Sequence, residues 1–338
     1  MSQMQTNWHG KPYYSLDAWC KNTFGEKCYK IALDAGFTCP NRDGTIGTGG
    51  CIFCSAGGSG DFAVEFNNSD LSAQIRKGLS LFHDKKVGSR FIAYFQAYTN
   101  TYGPIEKLRA IYEKALNEPN VCGISIATRP DCVGDEVCTL LAELKAKYPE
   151  KFIWVELGLQ TIHENTAVFI RRGYELPCFT DTFERLTVVG IPVIVHIILG
   201  LPGEGTSEIY ETISYLNRLK PFGVKLQLLH ILKNTDLAAI YETQPFHVYT
   251  LEEYLDVLTG CIARLSPEIV IHRVTGDGPK DLLIEPRFSL NKRLVLNSLH
   301  QKMKQENIYQ GRQILCSSED MLCKHSSAFS YGKQGGLT

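Results

Sequence analysis

Six apolar runs of strand length, most followed by a helical pattern, constrain the fold of this chain more than any other feature of its sequence. The first is KCYKIALD (27–34). RFIAYFQAY (90–98), VCGISIAT (121–128), FIWVELGLQ (152–160), IPVIVHIILG (191–200) and VKLQLLHIL (224–232) follow. Between them, IEKLRAIYEKALNE (105–118) carries Ile105, Leu108, Ile111, Tyr112, Ala115 and Leu116 on one helical face. GDEVCTLLAELKAKY (134–148), the stretch from Gln160 through Leu186, and SEIYETISYLNRL (207–219) also read as helices. The strands run apolar without strict alternation, which suits a parallel sheet covered by helices on one face and filled on the other. The expected fold is α/β, a partial (β/α)6 barrel of the TIM type. In such barrels chemistry sits in the loops after the strands.

The bulk numbers exclude little. The chain has 338 residues, 44% of them apolar, and a formal net charge of −1. No global field draws it to nucleic acid or to a membrane, so any such contact depends on a local patch. No apolar run spans a bilayer, and MSQMQTNWHGKPYY lacks the apolar stretch of a secretory signal. A soluble, cytoplasmic protein without a membrane partner is expected. Its twelve cysteines then read as thiols or metal ligands rather than disulfides. Cys122, Cys138, Cys178 and Cys261 stand singly on apolar stretches and are expected to pack in the core.

The loop after the first strand, CPNRDGTIGTGGCIFC (39–54), holds Cys39, Cys51 and Cys54. A structural zinc would need a fourth ligand, and no cysteine or histidine lies nearby. A 4Fe–4S cluster bound by three thiolates would leave one iron open to a substrate or cofactor. The glycines crowded through residues 44–60 let the backbone approach such a group closely. Phe53 is placed to shield a cluster or stack on a flat ring.

The loop resembles that of the radical S-adenosylmethionine (SAM) superfamily, in which three cysteines hold a 4Fe–4S cluster and SAM completes the fourth iron. The first spacer is longer than the superfamily's usual one, as in the branch containing the Elongator catalytic subunit. Further segments match in order. SIATRPD (125–131) resembles the TRPD turn of that branch, with Arg129 able to fork onto a carboxylate. VELGLQTI (155–162) and IRRGY (170–174) resemble Elongator and oxygen-independent coproporphyrinogen oxidases. This implies Gln160 and Arg172 as SAM contacts, Arg172 on its carboxylate. VHIILGLPGE (195–204) implies adenine contacts near Gly200, and places His196 where relatives carry an acid that meets the ribose. Glu156 and Gln160 are polar positions in an apolar strand, costly unless paired.

The resemblance implies that the reduced cluster cleaves SAM to a 5′-deoxyadenosyl radical, and that flavodoxin or ferredoxin donates the electron. The residue that returns an electron or proton is not implied; Tyr98, Tyr102 and His230 are candidates by position alone. Residues 1–28 form an N-terminal extension, 29–270 the core barrel, 271–312 a basic helical extension and 313–338 a polar tail expected to be disordered. The extension holds eight Lys/Arg against four acids, a face that could meet phosphates. Similarity across nearly the whole chain to a bacterial family implies tRNA as partner. The implied reaction acts at a wobble uridine and converts a carboxymethylaminomethyl side chain to aminomethyl. A small-molecule or protein substrate, and a non-catalytic iron–sulfur or zinc protein, are the alternatives.

Overall fold

The computed structural model describes residues 8–58, 60, 71–80, 88–276 and 278–314. The tail, with Cys316, Cys323 and His325, lies outside them.

All six expected strands form: β1 Tyr29–Leu33, β2 Phe91–Phe95, β3 Val121–Thr128, β4 Phe152–Gln160, β5 Val193–Leu199 and β6 Gly223–Leu228. They pair in chain order, every neighbour parallel, into the curled sheet of a half-barrel. The run over 224–232 is not one strand. It turns after Leu228, and Ile231–Leu232 (β7) pairs antiparallel with Leu283–Glu285 (β9). A seventh parallel strand, β8 Val270–Arg273, adds to β6. It is short and ends in His272 and Arg273, so its apolar signal is weak. It also straddles position 270/271, where the basic extension was expected to begin.

The outer face of the sheet carries α1 Leu16–Phe24, α2 Leu71–Ser80, α3 Ile105–Leu116, α4 Asp135–Lys147, α5 Glu164–Phe169, α6 Leu176–Val188, α7 Thr206–Leu219, α8 Asp236–Thr243, α9 Leu251–Arg264 and α10 Lys292–Gln305, α1 and α8 excepted. The stretch expected as one helix from Gln160 to Leu186 divides into α5 and α6. Arg171 and Gly173 take positive φ (53° and 80°) between them, and Pro177 opens α6. Of the four cysteines expected in the core, Cys122, Cys138 and Cys261 are buried and Cys178 only partly so. No helix of the described residues is long and apolar enough to cross a membrane.

Alternate strand residues point to opposite faces. Ile31, Ala93, Ile124, Val155, Val195 and Val224 pack beneath the helices in the main core. The inner face is layered. Its lowest layer is apolar: Cys28, Ile92, Cys122, Trp154 and Ile194, with Phe152 and Phe222 packed against it. Helix α1 closes this end. Ser15 caps it by accepting from Ala18 N at 3.2 Å, and Gly25 ends it in the left-handed region. The Trp19 ring on α1 makes edge contacts with Phe152, Trp154 and Phe222, centroids 5.7, 5.0 and 5.5 Å away. The chain ends reinforce this region: Gln310 accepts from Tyr14 N at 2.9 Å and donates to the Ile269 carbonyl at 2.8 Å.

Trp154→Ala, which empties the middle of the plug, should cost about 3–5 kcal/mol in urea unfolding. Val188→Ala, at a site 86% exposed, should change stability by no more than about 0.5 kcal/mol.

Candidate active site

The cysteine loop is held on three sides. Arg42 donates to the carbonyls of Cys54 and Ser55 at 3.2 and 2.5 Å, and Asn41 donates to the Arg171 carbonyl at 2.7 Å. Ile52 donates to the Ile170 carbonyl at 3.2 Å and accepts from Leu237 N of α8 at 2.9 Å. Tyr98, beyond β2, donates its hydroxyl to Ala56 O at 2.7 Å. Two glycines make this packing possible. A Cβ on Gly50 would stand 2.9 Å from Arg42 Nε, and one on Gly58 2.9 Å from the Tyr98 ring; both have positive φ. Tyr102 bonds Thr45 at 2.9 Å and does not line the cavity.

Cys39, Cys51 and Cys54 line one cavity of about 240 Å³ at the C-terminal ends of the strands. The Cys51 thiol is pushed down to about 7, first by its hydrogen bond with Cys54, then by the Arg129 charge, Asn41 and Arg42. Cys54 moves the other way, first through the same hydrogen bond and then by burial. Asn41 Nδ2 lies 3.7 Å from Cys51 Sγ. Among the described residues no three His, Cys, Asp or Glu converge on a single-ion site.

Of the residues expected to contact SAM, Phe53, Arg129, Gln160, Arg172 and His196 line this cavity. Gln160 fits best: it ends β4 in the left-handed region (φ 66°), and its amide oxygen is buried without a hydrogen-bond partner. A buried acceptor in that condition calls for a donor from a ligand. Arg172 does not fit the role of a carboxylate ligand. Its guanidinium donates to the carbonyls of Tyr174, Leu159 and Thr161 at 2.9, 3.2 and 2.7 Å and to both Glu164 carboxylate oxygens at 3.1 and 3.3 Å. All five N–H groups are spent holding the turn between β4 and α5. Arg129 is partly committed. Asp131 takes two of its donors at 3.0 and 2.7 Å and the Arg172 carbonyl a third at 2.8 Å, so its charge reaches the cysteines more readily than its fork reaches a ligand. Gly200 (φ 88°) does not line the cavity itself but a small neighbouring pocket that shares Leu228 and Leu229 with it, and a Cβ there would meet the Tyr249 ring at 3.1 Å.

Beneath the cavity every strand of the main sheet contributes one polar residue to a single layer: Lys30, Tyr94, Ser125, Glu156, His196, Lys225 and Arg273. Glu156, fully buried, is its centre. Its Oε1 accepts from Lys30 and Ser125, each at 2.6 Å; its Oε2 accepts from His196 at 2.7 Å and from Lys225. Lys225 also donates to the Tyr94 hydroxyl at 2.9 Å. Burial alone would raise the Glu156 carboxyl, but the Lys225 and Lys30 charges hold it well below its ordinary value. Burial lowers both lysines, Lys225 strongly, and lowers His196 to about 4, so His196 is neutral at pH 7 and donates Nε2–H. Sequence reading singled out Glu156 and His196 and missed Lys30, Lys225 and Arg273. The missed signal was one charged residue inside each of three apolar strands. Within the stretch 271–312, Arg273 lines the cavity, and Lys302 pairs with Asp256 and Glu306 at 2.6 and 2.8 Å.

Glu156→Gln leaves two buried ammonium groups without a counter-charge and should destabilise the fold by roughly 3–5 kcal/mol. Adding Lys225→Met should recover part of that loss in a double-mutant cycle measured by denaturant unfolding. His196, depressed to about 4 from 6.5, contributes stability that is complete above the unfolded value and is lost as pH falls toward the folded one. His196→Gln should flatten the decline of Tm across that window.

The Radical SAM superfamily profile matches residues 42–216, and the Radical SAM C-terminal domain profile matches 221–305. Protein YtqA of Bacillus subtilis is 43% identical over 302 residues, covering 89% of this chain and 92% of its own. A tRNA uridine(34) acetyltransferase of Methanocaldococcus jannaschii is 24% identical over 184 residues, covering 54% of this chain and 32% of its own. The solved structure of the archaeal Methanocaldococcus infernus Elp3 with an N-terminal deletion shares the fold, with a TM-score of 0.61 over 84% of this chain and 64% of its own at 14% identity. The chain belongs to the Radical SAM superfamily and is an enzyme whose cofactors are a 4Fe–4S cluster and S-adenosylmethionine.

Proposed function

We propose that this enzyme acts on a wobble uridine of tRNA, converting a carboxymethylaminomethyl side chain to aminomethyl. The observation that carries the reading is the likeness of more than half of this chain to a protein named for tRNA uridine(34). Cys39, Cys51 and Cys54 would hold the cluster. Their shared place on one cavity wall and the depressed Cys51 thiol support that assignment. Gln160 would bond SAM through its unpartnered amide oxygen. Bound and reduced, the cofactor pair supplies hydrogen-atom abstraction from an unactivated C–H bond.

The chain's own residues do the rest. Phe53, Ile198 and Leu229 form an apolar wall that keeps water from the reacting carbon. The polar layer below orients the end of the substrate that enters deepest. A one-electron donor of the flavodoxin or ferredoxin type serves as redox partner.

tRNA from a strain lacking this protein should accumulate carboxymethylaminomethyluridine and lose the aminomethyl-derived nucleosides by mass spectrometry. An unchanged nucleoside profile overturns the reading. Cys51→Ala, reconstituted without air, should lose the cluster's absorption and form no 5′-deoxyadenosine on reduction.

A further inference from the structure

Asn41 stands two residues after Cys39 and is buried, 5% exposed. The spacer between Cys39 and Cys51 closes around it. The Pro40 carbonyl accepts from Ile46 N and Gly47 N at 2.8 and 3.3 Å, and the Asn41 carbonyl accepts from Gly50 N at 2.7 Å. The side chain reaches two acceptors. Its Nδ2 donates to the Arg171 carbonyl at 2.7 Å and to Cys51 Sγ at 3.7 Å. A carbonyl oxygen only accepts, so the Arg171 bond fixes which end of the amide is nitrogen. The Asn41 Oδ1 occupies space that two glycines leave open: a Cβ on Gly47 would stand 3.0 Å from it, and one on Gly173 3.7 Å. Of the three cysteine sulfurs in the loop, that of Cys51 is the one with an amide donor among the described residues.

We infer that Asn41 tunes the iron–sulfur cluster: its amide, bonded to the Cys51 sulfur, raises the cluster's reduction potential. The inference rests on Cys39, Cys51 and Cys54 being the cluster's ligands, and not on the wobble-uridine reading. A metal-bound thiolate carries negative charge, and reduction adds one electron to the cluster it serves. An N–H donor at that sulfur stabilises the added charge and so favours the reduced state over the oxidised one. The amide is neutral and has no titration of its own, so the effect does not change with pH. Asn41 acts through Cys51 and is a positioning residue. Its bond to Arg171 sets the amide at the sulfur, and its bond to the sulfur eases entry of the electron.

The test is a redox titration of the full chain, reconstituted without air, with dithionite as reductant and the reduced cluster read by electron paramagnetic resonance. Asn41→Leu keeps the approximate size and removes the donor. Poised at the wild-type midpoint, it should hold at least about threefold less reduced than oxidised cluster, a shift of about 28 mV to lower potential for one electron. Asn41→Gln, which retains an amide, should lie between Asn41→Leu and the wild type. Tyr98→Phe removes a different tie of the same loop, the bond to Ala56 O, and should keep the wild-type midpoint. An Asn41→Leu midpoint equal to or above that of the wild type overturns the inference. An equal downward shift in Tyr98→Phe also overturns it, because looseness of the loop is then the cause. If neither Asn41 variant holds a cluster, Asn41 is a latch on Arg171 alone and the tuning role falls. Cys51→Ala is read alongside. If it keeps the cluster's absorption and midpoint, the ligand assignment falls and the inference with it. If it loses the cluster while Asn41→Leu titrates like the wild type, the assignment stands and the tuning role alone falls.

Discussion

One carboxylate holds the inside of this half-barrel together. Glu156 is fully buried in the fourth strand and takes hydrogen bonds from residues on the first, third, fifth and sixth. Parallel strands are joined laterally by backbone bonds alone, so side chains that reach across several strands add a tie of their own. The tie is strong because it is dry, and expensive for the same reason. Removing either sign of charge from such a group leaves the other stranded. The layers above and below depend on it. Within the plug the His272 ring packs edge-on against Trp154 and Phe222, centroids 5.3 and 5.7 Å away. The cavity above has a polar base because Tyr94, Glu156, His196 and Arg273 line it.

The cysteine loop solves a different problem. A glycine-rich segment of this length has high conformational freedom, and fixing it costs entropy. Contacts from separate parts of the chain offset that cost: Arg42 folds back on the loop itself, the connection between α5 and α6 receives Asn41 and Ile52, and Tyr98 reaches over from the end of β2. The three thiols are thereby presented to one cavity.

The strands were legible in the sequence because a parallel sheet buried on both faces needs long apolar runs, and β3 and β4 match the runs at 121–128 and 152–160 end to end. β8 escaped notice because half of its four residues serve the polar interior. The cysteines were legible because their spacing is a local property. The arginines were not. Arg172 stands at an interval that suggests a ligand contact, yet its guanidinium is consumed by carbonyls that become neighbours only when β4 turns into α5. Gly200, read as part of a nucleotide-facing turn, takes positive φ and passes close to Tyr249, contributed from beyond β7. Lys225 bonds Tyr94 across 131 residues of chain, a relation that no local pattern carries.

A polar residue from each strand at one height has a consequence for assembly as well as for binding. Sliding any strand by one residue exchanges its two faces. A slipped β6 would thrust the Lys225 ammonium among the helices and bring Leu226 to Glu156. A slipped β4 would deprive both lysines of their anion. Mispaired sheets of this sequence therefore carry a built-in electrostatic penalty, one that apolar alternation by itself imposes weakly where both faces are greasy. The charged ring acts as an alignment key: only the arrangement in which all seven strands are correctly staggered lets the teeth meet.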